Sequence, residues 1–305
     1  MNLATFYIKG ILRQLLPYSI ARRQRVRLLS KASRYLCHEE IDWRVDYNNS
    51  LSEQFDASLA PRICNISRKK SRYYLDLDES SRGFGPHLQM NYLFGDICII
   101  PEVATIVKSR PICAGNENSI ILKLDNLRHF SWSTDPIPFS NKKASAVWRG
   151  TPLTEQRKNF VRRFYDHKSF NIGQSRHVID ELQPKPTLTH REQKEYKFFV
   201  SIEGNDVATN LKWALASNML VMAPLPRYET WFMEGLLEPG KHFVLLKDDL
   251  SDLEEKVDYF SSQTKEAEEI IRNAHAWVNL FTDPLKERII AARILEKYFQ
   301  LSGQL

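Results

Sequence analysis

The stretch that decides the fold is Lys197-Phe198-Phe199-Val200-Ser201-Ile202-Glu203-Gly204-Asn205-Asp206-Val207-Ala208-Thr209-Asn210-Leu211-Lys212-Trp213. An apolar run ends at a glycine, and a polar segment with helix-start character follows. The pattern predicts a strand over 197–202, a turn at Gly204 and a helix over 207–217. Gly204 permits a tight turn and lets a ligand approach the backbone. Asn205 or Asp206 can cap the helix, and Asp206, Asn210 and Trp213 share one helical face by their spacing. The first N–H groups of a helix lack intrahelical partners and attract anions. On residue type alone, a plain N-cap explains Asp206 equally well. Upstream, Val147-Trp148-Arg149-Gly150-Thr151-Pro152 has a similar design. Thr151 fits an N-cap and Pro152 the first helical position of a helix running to about Tyr165. Two such turns, each with polar or cationic side chains, point to a nucleotide diphosphate.

Outward from these turns, strands and helices alternate. Ala144–Trp148, Met219–Met222 and His242–Leu246 read as strands. Thr230–Leu236 reads as a short helix, Asp249–Phe260 as a longer one, and Glu266–Leu301 as helix broken at Asp283-Pro284. This alternation predicts the α/β class, a parallel sheet with helical crossovers. The first half is less regular. Strands are expected at Phe94–Ile100 and Asn118–Leu124, and Pro136, Pro138, Ser140, Asn141 and Lys142 form a linker.

The chain has 305 residues, enough for two domains of about 150 residues each. Hydrophobic residues make up 43% and charged ones 26%, which excludes large-scale disorder. The formal net charge is +6, and its distribution matters more than its total. No acidic residue precedes Glu39, whereas Lys9, Arg13, Arg22, Arg23, Arg25, Arg27, Lys31 and Arg34 do. Leu3, Phe6, Ile8, Ile11, Leu12, Leu15, Leu16 and Ile20 interleave them. Two readings stay open at this level: an amphipathic helix resting on an anionic membrane surface, or a docked terminal helix with a solvated basic face. Nucleic-acid binding ranks below both, so no nucleic-acid partner is expected. Lys9 and Arg13 interrupt the apolar stretches, so a signal peptide is not indicated. No run approaches the ~20 apolar residues that span a bilayer. Cys37, Cys64, Cys98 and Cys113 lack zinc or disulfide-framework spacing and read as free buried thiols. The histidines form no ligand pair, so no metal site is expected.

Three cations can serve a diphosphate. Arg149 ends a strand, where ligands of parallel sheets bind, and its guanidinium can fork onto a phosphate. Arg157 lies two turns into the next helix, and Lys212 one turn into the helix after Gly204. Surface solvation is the plainer reading of both arginines. Glu229 and Glu234 can accept hydrogen bonds from ribose hydroxyls, or be solvated beside a core Trp231.

The ordered series Trp148-Arg149-Gly150, Glu155-Gln156-Arg157, Tyr196 to Gly204, Asn205 to Trp213, Ser217-Asn218-Met219, Glu229-Thr230-Trp231 and Pro239 before His242 resembles glycosyltransferase family 90. That family includes eukaryotic protein O-glucosyltransferases, fungal capsule xylosyltransferases and bacterial lipopolysaccharide-core transferases. The style of Gly204 to Trp213 is closest to the bacterial branch, and the match runs from about Tyr92 to Asp249.

The resemblance implies a GT-B fold, two Rossmann-like domains with a nucleotide-sugar cleft between them. Its expected divisions are an N-terminal acceptor-side domain at 1–140, a nucleotide-sugar domain at 141–280, and a helix at 281–305 packing back on the first. It implies inverting, metal-independent transfer of a hexose from UDP-glucose or UDP-galactose, with no cofactor beyond that donor. The expected acceptor is lipopolysaccharide core, reached by a cytoplasmic enzyme held at the inner face of the membrane through residues 1–35. The donor set is Arg149, Gly150, Thr151, Arg157, Gly204, Asn205, Asp206, Thr209, Asn210, Lys212 and Glu229. Asn210 stands where eukaryotic members carry an arginine, so Lys212, Arg149 or Arg157 must supply the charge. The base is an N-terminal-domain aspartate, Asp96 first and Asp125 second. Lys108, Arg110 and Arg128 suit a phosphorylated acceptor. Capsule or exopolysaccharide assembly with the same donor, or a non-catalytic basic adaptor, are the alternatives.

Overall fold

The computed structural model describes residues 2–32 and 38–305. Arg34 of the basic segment and Cys37 of the thiol set lie outside the described residues. The chain opens with helices α1 (Leu3–Gln14), α2 (Tyr18–Ala32), α3 (His38–Asn48) and α4 (Ser71–Ser81). Strands β1 (Thr105–Val107), β2 (Ser109–Pro111) and β3 (Ser119–Ile121) follow, then the short helix α5 (Asn126–His129). Next come β4 (Lys143–Gly150), α6 (Glu155–Phe164), β5 (Asn171–Gln174), α7 (His190–Gln193) and β6 (Tyr196–Val200). The series continues with α8 (Asn210–Leu215), β7 (Leu220–Ala223), β8 (Tyr228–Thr230) and β9 (Val244–Leu245). Helices α9 (Leu253–Ser262), α10 (Thr264–Asn279) and α11 (Pro284–Leu301) complete it. The chain divides into two units: Met1–Ser131 with Tyr228–Phe232 and Phe281–Leu305, and Trp132–Arg227 with Met233–Leu280.

The second unit is built on a five-stranded sheet in the order β5-β4-β6-β7-β9. Every neighbouring pair is parallel, which confirms the α/β expectation. Parallel strands are covered on both faces and read as continuous apolar runs. Phe198, Phe199 and Val200 of β6 are accordingly all buried, as is every residue of β7. Alternation sends Phe198 and Val200 into a cluster with Trp148, Phe160 of α6 and Ile270 of α10. Phe199 meets Trp213 of α8 edge-on, with ring centroids 4.9 Å apart. Helix α10 buries Ala267, Ile270, Ile271, Ala274 and Val278, the stripe of an amphipathic helix.

Strand order creates a switch point in this sheet. From β4 the chain crosses to β5 on one side, then returns to β6 on the other. Connections from the adjacent strands β4 and β6 therefore depart in opposite directions, and such a divergence leaves a crevice at the carboxyl ends of the strands.

In the first unit β1 pairs with β3 in parallel, and β2 with β8 antiparallel. Helix α11 begins as expected at the proline: Asp283 accepts hydrogen bonds from the Leu285 and Lys286 amides, and Pro284 sits in the first turn. It packs against α3, α2 and α4. Lys286 pairs with Glu40 at 2.6 Å and Lys297 with Asp46 at 2.8 Å. Inside the unit, Glu287 accepts from Arg44, Lys123 and the Trp231 indole, each at 2.6 Å. Burial pushes the Lys123 ammonium down, and the Glu287 carboxylate opposes that. Trp231 is fully buried, as expected of a core residue, but Glu229 and Glu234 are buried as well and not solvated, because each is held in an ion pair.

Several local expectations need correction. Helix α6 starts at Glu155, capped by Thr154 through the Arg157 amide, and not at Thr151. Two threonines compete for one cap, and the hydroxyl that meets the free amide three residues on defines the start. Helix α8 starts at Asn210 with Thr209 as its N-cap, so neither Asn205 nor Asp206 has that role. Residues 94–100 are not a strand: Gly95 has φ +126°, a left-handed kink that breaks an extended run. Residues 230–236 are not one helix. Register with β2, Thr230 opposite Ser109, holds Thr230 extended, and only Glu234–Leu236 turns as a 3-10 helix. Cys64, Cys98 and Cys113 are exposed thiols, so the buried-thiol expectation fails for them.

Candidate active site

The turns after β4 and β6 flank the switch point of the second unit. Arg157, in the first turn of α6 and not two turns into it as expected, because the helix starts at Glu155, links them. Its Nη1 donates to the Thr151 carbonyl at 3.0 Å and its Nη2 to the Ile202 carbonyl at 2.7 Å. A Cβ at Gly204 would lie 3.3 Å from Arg157 Nη2, a tight contact that would push the guanidinium by a few tenths of an ångström. Burial lowers the Arg157 pKa and the nearby Glu203 carboxylate opposes the shift. The buried Nε makes no hydrogen bond. Gly150 is more tightly constrained, because a Cβ there would come within 2.7 Å of the buried Trp148 ring.

The other members of the predicted donor set are distributed unevenly. Arg149 turns toward β5: Nη2 donates to Asn171 Oδ1 at 2.5 Å, Nη1 to the Asn171 carbonyl at 2.9 Å and Nε to the Pro186 carbonyl at 3.0 Å. Burial pulls its pKa down as well. Asn210 accepts from the Ser201 hydroxyl at 3.1 Å. The Gly204 amide donates to the Asp206 carbonyl at 3.0 Å, closing the turn, with Asn205 exposed and Asp206 buried. Thr151 and Thr209 are half-buried. Lys212 points elsewhere. It is fully buried, with Nζ 2.6 Å from an equally buried Glu234 carboxylate.

In the first unit the structure gathers four of the predicted residues. Lys108 Nζ lies 2.7 Å from Asp96 Oδ1. Arg128 reaches both aspartates, 3.7 Å from Asp96 and 3.2 Å from Asp125. Arg72 approaches Asp125 at 3.3 Å from the other side. The two carboxylates differ in access: the side chain of Asp96 is 30% exposed and that of Asp125 fully enclosed. Burial raises the Asp125 pKa, against the pull of Arg128 and Arg72. Asp125 also sits at φ 54°, a left-handed position that Asp tolerates better than most residues. Burial raises the phenol of neighbouring Tyr73 too.

Arg110 and Glu229 do not join this cluster. They stand opposite each other on β2 and β8 and pair at 2.8 Å, both nearly fully buried. The other Glu229 oxygen accepts from the Tyr47 hydroxyl. Arg110 also donates to the Ser119 and Tyr47 carbonyls. Sequence reasoning missed Arg72, Tyr47 and the Arg44–Glu287–Lys123 node. The capping Thr154 carried a local signal, since a threonine precedes an acidic first turn. The others meet their partners only through long-range packing.

Comparison with known proteins adds the family. Residues 123–301 match the sequence family described as Glycosyl transferase family 90. The chain is 43% identical over 265 residues to the O-glucosyltransferase LpsA of Dichelobacter nodosus, covering 86% of this chain and 83% of that protein. It is 30% identical over 105 residues to Protein O-glucosyltransferase 3 of Homo sapiens, covering 34% of this chain and 20% of that protein. A similar span, 104 residues at 33% identity, matches Uncharacterized protein 179R of Invertebrate iridescent virus 6 and covers 9% of it. With more than half of its length matched to the family and a bacterial relative aligned over most of both chains, this chain belongs to glycosyltransferase family 90 and is a glycosyltransferase.

Proposed function

We propose that the enzyme is an inverting hexosyltransferase of the GT-B type that moves a sugar from a UDP donor to a lipopolysaccharide-core acceptor. The observation that carries the donor half is Arg157, a half-buried cation tied to the turns after β4 and β6 at a sheet switch point. Glucose ranks ahead of galactose because the long bacterial relative is named an O-glucosyltransferase. Family membership sets aside the non-catalytic adaptor.

In this reading the acceptor hydroxyl gives its proton to Asp96, the more accessible carboxylate. The acceptor oxygen bonds to the anomeric carbon as the bond from that carbon to the UDP oxygen breaks. The electron pair leaves on the β-phosphate, and the configuration inverts. Arg157 meets that developing charge, with Arg149 as the second cation. Gly150, Thr151, Gly204, Asn205, Asp206, Thr209 and Asn210 shape the nucleotide site. Lys108 and Arg128 attract a phosphorylated acceptor and hold Asp96 in place. Arg110 and Glu229 act as an internal brace, and Lys212 supports α8 from within. The chemistry needs no metal and no cofactor beyond the donor. We place the enzyme at the inner face of the cytoplasmic membrane, where a lipid-linked acceptor is within reach. Attachment in this reading is peripheral; among the described residues no helix is long and apolar enough to cross a membrane.

The test is UDP release across a panel of UDP-sugars with truncated core oligosaccharides. Acceptor-dependent release with UDP-glucose is the expected result. No release with any donor would overturn the reading.

A further inference from the structure

Helix α1 has two apolar faces, and among the described residues one is buried and the other exposed. Phe6 and Gly10 are buried. Gly10 lies so close to α4 that a Cβ there would come within 2.7 Å of Leu75. Arg13 fixes the docking from its flank, donating to the Leu75 carbonyl at 2.8 Å and pairing with Glu79 at 2.8 Å. On the opposite side Ile8, Ile11, Leu12 and Leu15 follow i, i+3, i+4, i+7 spacing and remain 58%, 55%, 57% and 74% exposed. A helix docked for stability alone does not need a second apolar stripe in water, and a contiguous one marks an interaction surface.

Charge identifies the partner. The stripe ends at Leu15, and α2 begins three residues later at Tyr18. The outward face of α2 carries Arg22, Arg23 and Arg27, all exposed. With Tyr18 and His87 they line a groove of about 550 Å³ between α2 and residues 84–87, and no acidic side chain lines it among the described residues. No acidic residue occurs before Glu39. Apolar side chains next to a cationic groove match the boundary between acyl chains and anionic headgroups.

We propose that α1 lies in the plane of an anionic phospholipid surface, with Ile8, Ile11, Leu12 and Leu15 entering the acyl boundary while Arg22, Arg23 and Arg27 take lipid phosphates. The idea rests on the membrane-surface part of the reading above and sharpens it to named side chains. It joins the two readings of the basic segment, a helix docked on one face and exposed on the other.

The test is co-sedimentation of the full chain with vesicles of phosphatidylcholine, with or without phosphatidylglycerol at about a third of the lipid. Binding should need the anionic lipid and weaken as salt rises. Ile8→Ser with Leu12→Ser, and separately Arg22→Gln with Arg23→Gln and Arg27→Gln, should each lower affinity. For the arginine set the loss should be about a hundredfold, from roughly fivefold per cation near such a surface. Both variants should keep the wild-type melting temperature and UDP release with a soluble core oligosaccharide, so failure of the membrane proposal is distinguishable from failure of the transferase reading. No vesicle binding by the wild type, or binding that neither variant changes, would overturn it. A wild-type dimer in solution that the Ile8→Ser, Leu12→Ser variant converts to monomer would also overturn it, because the stripe would then belong to a second copy.

Discussion

The guanidinium of Arg157 donates to the main-chain carbonyl of Ile202 across 2.7 Å, tying the start of α6 to the turn that follows β6. A side chain on one crossover helix is thus read by the backbone of the neighbouring strand. Arg157→Ala should lower kcat by about 10²–10³, the usual loss on removing one charge-stabilising donor from an active site. Gly204→Ala should act in the same direction through the same group, since its methyl would crowd Nη2. UDP-release kinetics with thermal melting measure both, and unchanged kcat in Arg157→Ala would remove the residue from the donor site.

Lys212 and Glu234 give the contrasting case, a pair with no exposed surface on either partner. Removing one partner of such a pair leaves an uncompensated buried charge and costs about 3–5 kcal/mol. Lys212→Met should therefore lower the melting temperature sharply. The double variant Lys212→Met, Glu234→Leu should recover most of that loss, because both desolvation costs disappear together. A single variant that melts normally but loses donor affinity would return Lys212 to the diphosphate.

Asp96 and Asp125 share Arg128 but differ in exposure. Asp96→Asn should lower kcat by about 10²–10⁴ with little change in donor KM, as expected for loss of a general base. Asp125→Asn should chiefly alter melting, because its carboxyl is enclosed and its pKa is raised by burial. A kcat collapse in Asp125→Asn alone would exchange the two roles.

Asp76, buried on α4, has its pKa pushed from 3.8 up to about 8 by desolvation, while the Asn126 amide donates to it at 2.8 Å. The folded chain then keeps a proton that the unfolded chain releases above pH 3.8. This group's contribution to stability is therefore full below that pH, falls as pH rises toward about 8, and is flat above it. At pH 7 the penalty approaches about 4 kcal/mol. Asp76→Asn keeps an acceptor for the amide and lacks the titration. It should flatten the melting-temperature profile between pH 4 and 8 and gain most over the wild type at the upper end.

Glu287 receives Arg44, Lys123 and the Trp231 indole. Glu287→Gln should cost about 3–5 kcal/mol, since the buried Arg44 and the partly buried Lys123 lose their counter-charge. Chemical denaturation with the Lys123→Met, Glu287→Gln double variant measures how much of that loss belongs to Lys123.

Local sequence determined the α/β class, the strand–helix alternation of residues 143–279, the tight turn at Gly204 and the helix break at Asp283-Pro284. These features depend on apolar period, glycine freedom and proline geometry, which act within a few residues. The strand expected over 94–100 fails because one left-handed glycine outweighs an apolar run, and a φ angle is not written in a residue type. Tertiary structure alone decided which groups each cation meets. Arg149, Arg157 and Lys212 look interchangeable along the chain. Strand register sends Arg149 to Asn171, the switch point places Arg157 over Gly204, and helix rotation sends Lys212 into an ion pair with Glu234. Asp96, Lys108, Asp125 and Arg128 likewise meet only once distant segments pack. Side-chain direction is set by neighbours far away in sequence, and those neighbours exist only after the chain has folded.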